Sequence, residues 1–139
     1  MKTNPISSWK EHMDAGQRYL RTAMNGRGRK TVFNNPLIYQ LTAMAIEHLL
    51  VSVYQYHGQM PEDHTLEGLV EGLMSMGLMH ADLAGSIKGV GRFDDMCPLL
   101  PVNPRVPDDM EIETMLVTGR QAVRFAKQQS NPSAAIEAH

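Results

Sequence analysis

Apolar residues recur along most of the chain at steps of three and four residues, the spacing of a helix face. In the first predicted helix, 9–25, Trp9, Met13 and Leu20 lie on one such stripe. The second, 36–57, is apolar around most of its circumference, which is typical of a helix central in a bundle or at a subunit interface. No run alternates apolar and polar residues with β-branched enrichment. The pattern predicts an all-α fold.

Capping signals define where these helices begin and end. Asn35 is the expected N-cap of the second helix, and Pro36 suits its first turn. Gly58 is expected to end that helix, because glycine favours the position after a helix terminus. Asp108 and Glu111 form a capping-box pattern ahead of the last predicted helix.

The third predicted helix begins near Thr65 and contains two glycines on one face, Gly68 and Gly72. Such a face allows a neighbouring helix to approach closely. A short helical piece is expected over 80–88. The segment 89–107 carries four prolines and two glycines and is predicted to be a long connection.

Length and composition favour one domain without a membrane span. The chain has 139 residues and 42% hydrophobic residues, enough for one core, which is predicted over 1–128 with a disordered tail over 129–139. The net charge of −2 argues against a globally basic nucleic-acid binder. A single cysteine and the lack of a signal-like N-terminus favour a cytoplasmic protein.

The main charge feature is a group of five cations near the end of the first predicted helix. Arg18 and Arg21 lie in that helix, and Arg27, Arg29 and Lys30 follow in a glycine-bearing loop. Guanidinium groups and the free N–H groups of the next helix start both suit phosphate. The alternative is a solvated loop whose charges aid solubility.

Other polar residues favour structural roles. Glu47 and His48 lie within the apolar second helix, where a buried carboxylate needs a partner such as an arginine from the last helix or from a subunit neighbour. A role in a functional cleft is the alternative. His57 and His64 lack the spacing of a zinc or di-iron motif, so no metal is predicted. Cys97 has no clear catalytic partner.

The stretch 34–73 resembles the central helical hairpin of the HEPN family (higher eukaryotes and prokaryotes nucleotide-binding domain). Glu47 stands where that family commonly has a glutamate, His64–Leu66 is similar to its third-helix start, and 103–108 is similar to the segment before its fourth helix. Val51 departs from the family's frequent lysine. The resemblance implies an up-and-down four-helix bundle with a long proline-containing connection between helices three and four. It also implies a nucleotidyltransferase partner. Arg105 is a candidate phosphate-binding residue, and bracing of the connecting loop is the alternative.

The ribonuclease members of that family carry an arginine followed at a short spacing by a histidine, and no arginine of this chain has a histidine at that spacing. The leading expectation is therefore a non-catalytic nucleotide- or nucleic-acid-associated accessory protein without a cofactor, homodimeric through the excess apolar surface of the second helix. The expected binding residues are Arg27, Arg29, Lys30 and Arg105. One alternative is a degenerate endoribonuclease pairing Arg105 with His48 or His64. Another is an interaction module without a ligand.

Overall fold

The computed structural model describes residues 5–29, 31–95 and 106–130, and these ranges contain helices and no strand. The predicted all-α class is confirmed. The described residues form five α-helices rather than four, and a short 3-10 helix, Arg92–Asp95, follows the fourth. The α-helices are α1 Pro5–Gly26, α2 Asn35–Tyr56, α3 Leu66–Ser75, α4 Ala81–Gly91 and α5 Asp109–Gln129.

Helix α2 forms the centre of the core. It packs against α1 along much of its length and also against α5, α3 and α4. Its fully buried side chains include Ile38, Ile46, Leu49, Leu50 and Val53. The broad apolar surface of α2 is therefore covered largely by other helices of the same chain. The expected homodimer stays a prediction, now without that argument in its favour.

A glycine sets the distance between α1 and α2. A Cβ atom built on Gly16 would lie 2.6 Å from Leu49 Cγ and 3.0 Å from the backbone oxygen of Ala45. Leu49 is fully buried. Only a residue without a side chain lets the two helices approach this closely, and the approach brings His12 of α1 to His48 of α2.

The start of α2 corrects the predicted N-cap by one residue. Asn34, not Asn35, is the cap, and its side chain accepts a hydrogen bond from the N–H of Leu37 at 3.0 Å. The amide of Asn35 instead donates to the carbonyl of Pro107 at 3.0 Å and to Asp109 Oδ1 at 2.9 Å. Asn35 thus ties the first turn of α2 to the first turn of α5.

The predicted short helix and long connection are also corrected. The helical piece expected over 80–88 is α4, which continues to Gly91 and into the 3-10 helix. Its buried residues Ala84, Ile87 and Val90 recur every three residues, so packing on one face offsets the weak helix propensity of its glycines. Most of the expected connection, with Cys97, lies outside the described residues, as does the tail beyond residue 130.

Several local signals are confirmed. Asp108 and Glu111 form both hydrogen bonds of a capping box. Thr65 caps α3 by accepting from the N–H of Gly68 at 3.0 Å. Gly58 follows the C-terminal cap of α2 with a φ of 73°, a conformation that favours glycine.

The two glycines of α3 have different neighbours. A Cβ on Gly72 would meet the hydroxyl of Tyr54, which donates a 2.7 Å hydrogen bond to the carbonyl of Leu69. Gly72 therefore lets α2 approach α3, as predicted. A Cβ on Gly68 would instead meet the side chain of Asp63, in the loop before α3.

Helix α2 is also the one helix in the described part of the chain that is long and apolar enough to cross a membrane by length and composition. Most of the relevant stretch is buried inside the protein. The core helix of a globular bundle passes the same test, so this finding is weak evidence for a span.

Candidate functional site

The predicted basic loop is only partly available to an anion. Arg27, just after α1, forms a 2.8 Å ion pair with Glu113 of α5, and the two side chains are 39% and 60% exposed. Arg29 is exposed. Lys30 and Arg105 lie outside the described residues, so their predicted role is unchanged. The start of α2 already has its Asn34 cap and lies beside the carboxylate of Asp109. Acidic groups of α5 thus oppose phosphate at this helix start.

A groove between α1 and α5 brings together cations that are far apart in sequence. It has a volume of about 220 Å³, and Arg21 of α1 and Arg120 of α5 line it. Both arginines are exposed. Leu20, Met24 and Val123 supply its apolar lining. The site is therefore two guanidinium groups from facing helices beside an apolar surface.

Gly119 explains why α1 and α5 meet closely at this groove. A Cβ built on Gly119 would lie 2.7 Å from Leu20 Cδ1. Arg18 lies one turn before Arg21 on α1, and Arg124 lies one turn after Arg120 on α5, and both are exposed. We call Arg18, Arg21, Arg120, Arg124 and Lys127 the basic face.

A cluster of aromatic and imidazole rings lies between α1 and α2. His12 Nδ1 and His48 Nδ1 are 2.9 Å apart, a hydrogen bond in which one ring donates to the other. The ring of Tyr19 stacks on His48 with centroids 5.5 Å apart. Burial lowers the pKa of His48 below its usual value of 6.5, and the charges of His12 and Arg18 act in the same direction, while Glu47 acts against them. His48 therefore favours its neutral form more than an exposed histidine does.

Glu47 is not the buried carboxylate that the sequence suggested. Its side chain is 42% exposed and lies 3.3 Å from His64 Nδ1, ahead of α3. Its partner among the described residues is thus a histidine of the same chain rather than an arginine of the last helix. His48 is half-buried and pairs with His12. The expected burial of the Glu47–His48 pair is therefore only partial, because both side chains lie at the edge of α2.

Glu47 lines a groove of about 520 Å³ between α2 and the α3–α4 pair. Asp63, Glu67, Glu71 and Lys88 also line it. Lys88 is held by Glu71 at 2.7 Å. A backbone hydrogen bond from Thr65, followed by one from its side chain, lowers the pKa of Asp63 and keeps it ionised. This acidic groove is unfavourable for phosphate.

The sequence interpretation missed His12 and did not assign a site role to Arg120. The spacing of Arg120, Arg124 and Lys127 places them on one helical face, which was a visible signal. Their pairing with α1 was not visible, because it depends on which faces of two distant helices meet. Among residues 5–29, 31–95 and 106–130, no three histidine, cysteine, aspartate or glutamate side chains gather in a way that holds a metal ion.

No protein-family model, no curated protein and no solved structure matches the chain. The resemblance to the HEPN family, and the partner that it implies, therefore stay predictions.

Proposed function

We propose that this protein is a non-catalytic binding protein for phosphate-bearing ligands of the nucleotide or nucleic-acid class, and that the groove between α1 and α5 receives them. The observation that carries the proposal is the placement of Arg21 and Arg120 on facing helices beside an apolar lining. Guanidinium forks bind phosphate oxygens in pairs of hydrogen bonds. The apolar side chains offer a surface for a sugar or a base.

The size of the groove favours a strand over an enclosed nucleotide. At about 220 Å³ it is smaller than the ~300–1,000 Å³ of pockets that enclose a small molecule. The other cations of the basic face are exposed on the two helices that border this groove, Arg18 on α1 and Arg124 and Lys127 on α5. A single-stranded nucleic acid lying across α1 and α5 fits this distribution of charge best.

The opposite charge of the two grooves also supports binding at the α1–α5 groove. Glu47, Asp63, Glu67 and Glu71 surround the α2–α3 groove and repel a polyanion there. The net charge of −2 therefore conceals a basic and an acidic surface on one molecule. Binding is expected to be local, weak and dependent on salt, because it uses exposed charges.

Fluorescence anisotropy with a labelled single-stranded RNA tests the proposal. Arg21→Ala/Arg120→Ala should weaken binding at least about tenfold, since two phosphate contacts are lost. The slope of log K against log salt should become shallower by about 1.4, as each contact to a single strand contributes about 0.7. The matched control is Lys10→Ala/Lys88→Ala, which removes the same charge away from the groove. Equal loss in both double variants would contradict a site at the groove.

The basic loop provides a second comparison. Arg27→Ala/Arg29→Ala should weaken binding less than the groove variant, because Arg27 is already paired with Glu113. A larger effect from the loop variant would move the site towards the start of α2, where the sequence first suggested it.

A degenerate endoribonuclease is the second candidate, and the histidine cluster is the observation that favours it. Cleavage needs one group to take the proton of the ribose 2′-hydroxyl and another to protonate the leaving 5′-oxygen. His48 lies close enough to Arg18 to feel its charge, but the facing Nδ1 atoms of His12 and His48 are engaged with each other. We therefore expect structured and single-stranded RNA to remain intact with purified protein. Cleavage lost in His12→Gln and in His48→Gln would establish the enzyme instead.

The cytoplasmic location, the homodimer and the nucleotidyltransferase partner remain parts of the proposal that rest on sequence and resemblance. Light scattering tests the homodimer, for which a mass of about twice 15.5 kDa is expected. Co-purification with a nucleotidyltransferase encoded nearby tests the partner.

A further inference from the structure

The geometry of the His12–His48 contact limits how many protons the two rings can bind. Their Nδ1 atoms are 2.9 Å apart, the ring centroids are 5.1 Å apart, and the ring planes differ by 31°. The nitrogen edges therefore face each other. In the neutral pair one Nδ1–H donates to the other Nδ1. One further proton is accommodated at the outer Nε2 of the donor ring, but a second must sit on the accepting Nδ1, where it meets the donor's own proton.

The surroundings oppose that second proton. Arg18 and His12 of α1 carry or gain positive charge near His48, and burial penalises an imidazolium there. Tyr19 of α1 stacks on the ring. Among the described residues, the carboxylate acting in the other direction is Glu47 of α2, which is already in contact with His64 from the segment before α3. The doubly protonated pair is therefore poorly compensated.

The same end of α1 combines an aromatic contact with α2 and buried polar atoms that lack a partner among the described residues. Trp9 packs edge-to-face on Tyr56 with centroids 5.1 Å apart. The indole Nε1 of Trp9 and the side-chain oxygen of Gln55 are buried and make no hydrogen bond to any described residue. A buried polar atom without a partner costs about 1–3 kcal/mol. The part of α1 before Gly16 is thus the less well satisfied half of the α1–α2 interface.

We propose that the His12–His48 pair is a pH-sensitive switch: its double protonation in mild acid separates the N-terminal half of α1 from α2. The separation exposes the surface of α2 around His48 and Tyr56. The C-terminal half of α1, which lines the basic face, stays packed through Leu20 and Gly119.

The sign of the pH dependence follows from the lowered pKa of His48. In the unfolded chain His48 takes up a proton near its ordinary value of 6.5. The folded state takes up this proton only at lower pH. The packing of α1 on α2 is therefore fully stable above about pH 6.5 and loses stability as the pH falls below that value. Carboxylates take up protons at lower pH, near 4, so protonation of the histidine pair and protonation of carboxylates occur in separate pH ranges.

Trp9 is the single tryptophan and reports directly on this contact. Its fluorescence emission and the thermal midpoint should be measured on the full chain between about pH 7.5 and 5.0. In the native sequence the emission should shift to longer wavelength and the midpoint should fall by several degrees. His12→Gln and His48→Gln should each remove most of both changes, because a glutamine does not take up a proton.

His80→Gln is the matched control. His80 is exposed and its side chain makes no capping hydrogen bond, so its removal should leave both pH profiles unchanged. Profiles in His12→Gln and His48→Gln that match the native one would overturn the proposal. An NMR titration of the native protein decides the case even where a variant does not fold. A pKa of His48 at or above the ordinary histidine value, or a Trp9 change that does not coincide with its titration, would also overturn it.

Discussion

Gly16→Ala tests the close approach of α1 and α2 on which the histidine pair depends. In an exposed helix interior, alanine in place of glycine stabilises by roughly 1 kcal/mol. At Gly16 the new methyl would lie 2.6 Å from Leu49 Cγ, 2.8 Å from its Cδ2 and 3.0 Å from the backbone oxygen of Ala45. Leu49 is completely buried and the backbone oxygen is fixed in a helix, so neither moves cheaply.

The two effects have opposite signs, and their magnitudes decide the outcome. Overpacking a well-packed interface costs about 1–3 kcal/mol, and here both a core side chain and backbone must shift, which places the cost in the upper part of that range. After the gain in helix propensity, we expect a net loss of about 1–2 kcal/mol. For a chain of this size that is roughly 3–8 °C in thermal midpoint.

Gly85→Ala in α4 is the matched control. A Cβ at Gly85 meets nothing within 4 Å, and the residue is exposed in a helix interior. This variant should gain about 0.5–1 kcal/mol. Thermal unfolding followed by circular dichroism measures both. If Gly16→Ala stabilises as much as Gly85→Ala, the α1–α2 packing described above is wrong.

A double-mutant cycle tests the contact between Gly16 and Leu49 independently. Leu49→Ala alone should cost about 2–5 kcal/mol, as expected for a fully buried leucine. Combined with Gly16→Ala it should cost less than the sum of the two single changes, because the shortened side chain leaves room for the new methyl. Residues in contact typically show coupling of about 0.5–3 kcal/mol. Strict additivity would mean that the two side chains do not meet.

Two further substitutions test the packing of α2 on α3 and the capping of α5. Tyr54→Phe should destabilise by about 1 kcal/mol, because it removes the 2.7 Å hydrogen bond from the Tyr54 hydroxyl to Leu69, and urea unfolding with Tyr56→Phe as a comparison measures this. Asp108→Ala should cost about 0.5–2 kcal/mol by removing one side of the capping box of α5, and Asp108→Asn should restore most of it because an amide oxygen also caps. No loss in the alanine variant would show that α5 does not need its cap.

The local signals of the sequence predicted several helix ends, but not the start of α1, which lies at Pro5 rather than at residue 9. Capping by Asp108 and Thr65 and the turn at Gly58 depend on residues within a few positions of each other, so a single sequence contains the necessary information. The cap of α2 was misplaced by one residue because two asparagines precede Pro36 and both are good caps. Only the hydrogen bonds of Asn35 to α5 distinguish them.

The candidate site depends on contacts that no local pattern encodes. Arg21 was noticed as one of a cation cluster, but its partner across the groove, Arg120, lies on a helix near the other end of the chain. His12 and His48 meet because Gly16 allows two helices to approach, which spacing along one helix cannot reveal. Conversely, the sequence pattern predicted the broad apolar surface of α2, but it did not predict which helices cover that surface.

The most direct test of the proposed function is a map of the binding surface by NMR. Single-stranded RNA titrated into isotope-labelled protein should shift the amide signals of residues around the α1–α5 groove, above all Gln17, Arg21, Arg120 and Val123. The signals of Glu67 and Glu71 in the acidic groove should stay in place. Shifts confined to the acidic groove, or no shift at any RNA concentration at low salt, would contradict the assignment of the α1–α5 groove as a phosphate-binding site.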